Sequence, residues 1–121
     1  MKIALPVDEN NLESSVCPSF GRAPYFLFFE TDTNESYCLE NSAAASPGGA
    51  GIKAAQTIAD EGARALLTPR CGENAEAVLR KSDVRIYKTI PGTAKQNLDA
   101  FAGGRLGVLG DFHPGFHGHE K

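Results

Sequence analysis

The 121-residue chain lacks an excess of positive charge: twelve Lys and Arg stand against fifteen Asp and Glu, a formal net charge of −3. A nucleic-acid protein needs a basic patch or stripe to neutralise phosphates, so this balance argues against DNA or RNA as a partner. It leaves room for a small anion, because a local site can be positive on an acidic protein. No apolar run approaches the length that spans a bilayer, which argues against a membrane protein. The opening "MKIALPVDEN" reads as a first strand and not as a secretory signal. There is no Cys-x-x-Cys: the three cysteines, Cys17, Cys38 and Cys71, are odd in number and widely spaced. A disulfide framework is thereby excluded, and a reducing, cytoplasmic setting is expected. Histidine occurs only at 113, 117 and 119, far along the chain from any cysteine.

What is present fits one globular domain. Hydrophobic residues make up 41% and charged residues 22%, enough apolar content for a single core at this length. "KIALPV" (2–7) is short and apolar, as a buried central strand should be, although Pro6 is unusual there. Residues 8–24 carry Pro18, Gly21 and Pro24 and read as a long loop, in which Cys17 is open to solvent. "YFLFFE" (25–30) and "SYCLEN" (36–41) read as hairpin strands joined by the turn chemistry of "TDTNE", with Cys38 half-buried. "SAAASPGGAG" (42–51) is a small-residue loop. A helix follows over 52–62 with Ile52, Ala55, Ile58 and Ala59 on its inward face.

The pattern then alternates: a strand at 64–68, a helix at 73–82 with Ala75, Val78 and Leu79 inward, a strand at 84–89, and a helix at 94–104 with Leu98 and Phe101 inward. The order β-β-β-α-β-α-β-α predicts an α/β fold with a five-stranded mixed sheet between helices, its βα units parallel and right-handed. The unit is expected to close by residue 107. The Gly- and His-containing tail, 108–121, is expected to be mobile.

Ligands of such sheets bind beyond the carboxyl ends of the parallel strands. Three loops should meet there: the loop after the first strand, "TPRCG" (68–72), and "IPGT" (90–93). Two of them run into helix N-termini, at Gly72 and Thr93, where free N–H groups and the helix dipole favour anions. The Gly-rich "SPGGAG" could border the same crevice, with Gly48, Gly49 and Gly51 admitting close backbone approach. It matches neither the Walker loop nor Gly-x-Gly-x-x-Gly, so it serves equally as a plain connector. Cys71, beside Arg70 and a helix start, has a setting that should lower a thiol pKa. Three readings stay open for it: a small residue at a tight junction, a ligand contact or weak metal ligand, or a nucleophile. Nucleophilic catalysis also wants an oriented base, and none is near in sequence. "HPGFHGH" (113–119) offers His113, His117 and His119 as weak ligands for copper, nickel or zinc.

Five stretches together resemble the dinitrogenase iron–molybdenum cofactor biosynthesis family. They are "MKIALPVDEN", "FGRAPYFLFFE", "GGAGIKAAQTIADEGARALLT", "CGENAEAVLRKSDVRIYK" and "GTAKQNLDAFAGGRL", in the family's order and spacing over residues 1–107. The resemblance implies a three-layer α/β/α ribonuclease-H-like fold that binds or carries metal–sulfur clusters. It looks closest to a branch whose ligand is a molybdenum–copper sulfide cluster, an anion held without covalent attachment. The family's His-Phe-Gly-Arg-Ala segment falls on Ser19 to Ala23, so Ser19 stands where an imidazole is usual. Its Gly-Gly-Gly-Ala-Gly loop falls on Pro47 to Gly51, and its Gly-x-x-Gly-x-Asn-Ala segment on Pro69 to Ala75.

The combined expectation is a non-catalytic binding or carrier protein. Arg22, Arg70 and Lys53 would supply charge, and Gly48, Gly49, Gly51, Gly72, Gly92 and Thr93 backbone donors. Ser19 and Cys71 would be further contacts. The rivals are a thiol-dependent enzyme using Cys71 and a regulatory or scaffold domain acting through a protein partner.

Overall fold

The structure is a computed structural model and describes residues 1–110. Strands β1 (Lys2–Val7), β2 (Tyr25–Glu30), β3 (Glu35–Glu40), β4 (Ala65–Thr68) and β5 (Arg85–Lys88) form one sheet in the order β3-β2-β1-β4-β5. β1 is antiparallel to β2 and parallel to β4; β2–β3 is antiparallel and β4–β5 parallel. The helices are α1 (Ala50–Asp60), α2 (Glu73–Lys81) and α3 (Ala94–Ala102). The mixed five-stranded sheet and the element order agree with the sequence reading, with one 3-10 turn added at Ser42–Ala45.

Strand alternation sorts the core into two faces. Ala4, Phe26, Phe28 and Leu66 pack with Ala54, Ala55 and Ile58 of α1 and Ala75 and Leu79 of α2. Ile3, Leu5, Val7, Leu27 and Leu67 pack with Ala94, Leu98 and Ala100 of α3 on the opposite face. The molecule is therefore three layers, with α1 and α2 on one side and α3 alone on the other. This division decides which loops can share a site.

Pro6 sits inside β1, opposite Phe26. Its carbonyl accepts the Cys17 N–H at 2.9 Å. N–H and C=O of one strand residue point the same way, so the missing donor of Pro6 faces the 8–24 loop and not β2. That loop is more ordered than its composition suggests. Val16 bridges to Val7, and the buried Ser14 hydroxyl accepts the N–H groups of Asp8 and Glu9 at 3.0 and 2.9 Å. Cys17, expected to be open, is 7% exposed and lies in the core under α1 and α2.

Of the four positions of α1 expected to face inward, Ala55 and Ile58 are buried, Ala59 is half-buried and Ile52 is exposed. The helix starts at Ala50, and Ala50, Ala54, Ala55 and Ile58 are the buried positions, whereas Ile52 is 43% exposed. Ala50 and Gly51 in the first turn let α1 lie against the 19–23 loop, where Gly21 meets both. Val78 and Phe101 are partly buried, Phe101 standing edge-on to Tyr87 at a 4.9 Å centroid distance. Past residue 107 the chain stays against the sheet: Lys88 N–H donates to Gly107 O, Leu109 N–H donates to Ile86 O, and Leu109 is 5% exposed. His113, His117 and His119 lie outside the described residues.

Candidate anion-binding cleft

A cleft of about 620 Å³ opens where the 18–22 loop, the start of α1 and the β4–α2 junction meet. Its walls are made by Pro18, Ser19, Phe20, Gly21, Arg22, Gly49, Ala50, Gly51, Ile52, Arg70, Gly72, Asn74 and Ala75. Each wall has a local cause. β4 ends at Thr68 because Pro69 has no N–H to continue the ladder. The Thr68 hydroxyl, fully buried, donates to Arg70 O at 2.9 Å and fixes the turn that leads into α2. In that turn Arg70 is exposed at the cleft wall, and no hydrogen bond or ion pair of its guanidinium occurs among the described residues.

Two helix N-termini border the cleft. α1 begins after Gly49, which is left-handed at φ 70°, and α2 after Gly72; neither has a side chain capping its first turn. Uncapped first turns present N–H groups and a partial positive charge. None of the lining residues is acidic. Glu73 and Glu76 stand in the first turn of α2, but Glu76 pairs with Arg80 at 2.8 Å. The balance of the cleft wall is cationic. Pro18, Phe20, Ala50, Ile52 and Ala75 make the rest of it apolar.

Close backbone contact holds the walls together. A Cβ on Gly21 would lie 3.0 Å from both Cα and N of Gly51, so the loop seats directly on the first turn of α1. Phe20, buried at 4%, rests on Phe26 with centroids 5.4 Å apart.

Cys71 turns the other way. It is 1% exposed, belongs to the core with Ala75 and Leu79, and is not among the cleft-lining residues. Burial pushes its thiol up to about 12, with the nearby Glu76 charge acting in the same direction. The lowered pKa expected from Arg70 and the helix start does not occur, because desolvation of the thiolate outweighs both. In the folded state the proton is held beyond the thiol's ordinary value of 9.0. Its stabilising contribution is thus complete below about pH 9 and is lost as pH rises towards 12. In denaturant titrations, wild type minus Cys71→Ala should be flat from pH 6 to 8, then fall by about 1.4 kcal/mol per pH unit above 9. A flat difference up to pH 11 would contradict this.

The family model for the dinitrogenase iron–molybdenum cofactor matches residues 1–104. The chain belongs to that family. It is similar to the orange protein from Desulfovibrio gigas, whose apo form has a solved structure. The TM-score is 0.85 at 29% identity, over 89% of this chain and 92% of that one. A Thermotoga protein named for NifB gives a TM-score of 0.81 at 32% identity, over 92% and 95% of the two chains. An uncharacterized protein of Methanocaldococcus jannaschii is 31% identical over 109 residues, 88% of this chain and 89% of that one.

Of the residues singled out from sequence, Ser19, Arg22, Gly49, Gly51, Arg70 and Gly72 line the cleft. Gly48, Lys53, Cys71, Gly92 and Thr93 are not among its lining residues. Lys53 is bound to Ser46 Oγ at 3.1 Å. Thr93 caps α3 on the other face of the sheet, in a capping box with Gln96. There the 8–16 loop takes up the helix donors: Ala94 N–H donates to Ser14 O at 2.8 Å and Lys95 N–H to Leu12 O at 3.0 Å. The α3 terminus therefore has no spare N–H at these positions for an anion. Sequence reasoning passed over Asn74, Phe20 and Ile52 as wall residues. Asn74 and Phe20 fall within the family segments, which was the available signal.

No group of three or more His, Cys, Asp or Glu able to hold a metal ion occurs among the described residues. No helix among them is long and apolar enough to cross a membrane.

Proposed function

We propose that this protein binds and carries an anionic metal–sulfur cluster, of the molybdenum–copper sulfide type, without covalent attachment and without catalysing a reaction on it. The observation that carries the reading is the convergence of Arg22, Arg70 and the uncapped starts of α1 and α2 on one partly apolar cleft. Sulfide faces of such a cluster are large and weakly hydrated, so apolar walls with a few donors suit them. Arg70 supplies a charge-assisted contact, and Gly49, Gly51 and Gly72 let backbone N–H groups approach. Ser19 and Asn74 are the polar side chains at the rim. Thiolate ligation by Cys71 has no place here: its sulfur lies in the core with its proton firmly held.

Membership of the dinitrogenase cofactor family and likeness to the orange protein support a cluster as cargo. The strand order with helices on both faces supports the ribonuclease-H-like reading of the fold. We take residues 1–107 as the cluster-binding unit and the cytoplasm as its setting, with a protein that supplies or accepts the cluster as its partner.

Arg70→Gln tests the site. It should leave thermal stability within about 0.5 kcal/mol, since Arg70 is exposed. Affinity for tetrathiomolybdate should fall by roughly tenfold, the effect of one charge-assisted contact. Unchanged affinity, by spectroscopic titration at fixed ionic strength, would remove Arg70 from the site.

A further inference from the structure

We propose that Arg22 is a latch that links anion occupancy of the cleft to release of the strap at residues 42–48. The inference rests on the anion-site reading above. Arg22 belongs to two structures at once. It lines the cleft, and its Nη1 donates to the carbonyls of Ala44 at 2.8 Å and Ser46 at 3.1 Å. Lys53, on the outer side of α1, adds a third tie to Ser46 Oγ at 3.1 Å.

Besides these ties the strap is held by its 3-10 turn, which lies against α1 and places Ala43 in the core. Only Ala43 is buried within it. Its first end is fixed: Asn41, 6% exposed, donates from Nδ2 to Gly21 O at 3.0 Å and Ala23 O at 2.9 Å. Its other end is the Gly48–Gly49 pair, which brings no side chain to pack. Gly48 has no atom within 4 Å of where a Cβ would stand, and Gly49 is left-handed at φ 70°. A segment with one firm anchor, a glycine pair at its other end and few apolar contacts opens at low cost.

An anion in the cleft offers the guanidinium a charged acceptor in place of two neutral carbonyls, and the charged pairing is the stronger. Ala44 and Ser46 are only half-buried, so water can take over their carbonyls. Occupancy of the cleft is thereby reported at the surface as a change in order of residues 42–48. Linkage requires the converse: whatever weakens the strap's ties without touching the cleft must tighten anion binding.

Amide hydrogen exchange reads the latch directly. Ala43 N–H is bonded to Asn41 Oδ1, Ala44 N–H to Asn41 O and Ser46 N–H to Ala43 O, so these three amides report on the strap. With tetrathiomolybdate and copper(I) added to wild-type protein, they should exchange about tenfold faster while Ala54 to Ile58 in α1 do not. Exchange that is unchanged or slower, in protein that demonstrably retains the chromophore, overturns the latch and leaves the anion site standing. Failure to retain any chromophore overturns both. In ligand-free protein Arg22→Gln should speed the same amides, and an unchanged rate there refutes the tether. Ser46→Ala removes the Lys53 tie with no change of charge and no change in the cleft wall. It should tighten tetrathiomolybdate binding by roughly twofold, and weaker or equal binding counts against the linkage.

Discussion

Gly21→Ala is expected to cost about 1–3 kcal/mol of stability and to abolish retention of the cluster. The added Cβ would meet Cα and N of Gly51 at 3.0 Å and the carbonyl carbon of Ala50 at 3.3 Å. All three are backbone atoms, so no side-chain rotation relieves the contact. Either the 19–23 loop lifts from α1 or the first turn of α1 shifts, and both movements separate Arg22 from the N–H groups of Gly49 and Gly51. Phe20, whose ring rests on Phe26, would be drawn from the core with the loop. Gly48→Ala is the matched control for stability, with open space around the new methyl and an expected change within about 0.5 kcal/mol. Thermal unfolding and colour retention after desalting check the pair. Gly21→Ala protein that holds the cluster as well as wild type would show that these two walls do not form one site.

Cys71 in folded protein at pH 7 is expected to react with iodoacetamide at least a thousandfold more slowly than an ordinary thiol. With its pKa pushed up to about 12, roughly one thiol in 10⁵ is ionised at pH 7, against a few per cent for a free cysteine. Exposure of 1% lowers the rate further. Cys38, half-buried on the outer strand, should label first, and all three cysteines should label together in denaturant. Cys71→Ala should take up the cluster normally. Rapid labelling of Cys71, or loss of uptake in Cys71→Ala, would return the thiol to the centre of the mechanism and reopen the enzyme reading.

The order of elements was legible because the pattern changes along the chain: strand-favouring aromatics in "YFLFFE", alternation in "SYCLEN", helical spacing after Gly51 and Gly72. Which face of the sheet each helix covers was not. All three helices start at the same end of the sheet, so Thr93 and Gly72 looked equivalent in sequence. They differ because α3 packs on Leu5, Leu27 and Leu67 while α2 packs on Leu66 and Ile86; Leu66 and Leu67 are neighbours in β4 that face opposite sides. One residue of alternation separates the two faces, and no loop composition encodes it.

Depth at the β4–α2 junction was hidden in the same way. Arg70 and Cys71 are neighbours, and their chemistry suggested one reactive site. Thr68 and Pro69 set a turn that leaves Arg70 exposed and buries Cys71. Ile52 misled for a different reason. An apolar stripe read from residue type favours the largest side chains, whereas the first turn of α1 meets Gly21 and Ala75 through Ala50 and Gly51. The order in residues 8–17 depends on Ser14, whose bonds to Asp8, Glu9 and the start of α3 are visible only once the fold is closed.

Colour retention reports cluster binding by the cleft without an intermediary. Metal-free protein is mixed with tetrathiomolybdate and copper(I), desalted, and its visible spectrum and metal content are measured against Arg70→Gln. A protein-bound chromophore containing both metals is expected in the wild type and a much weaker one in the variant. Wild-type protein that emerges colourless and metal-free would contradict cluster binding by the cleft.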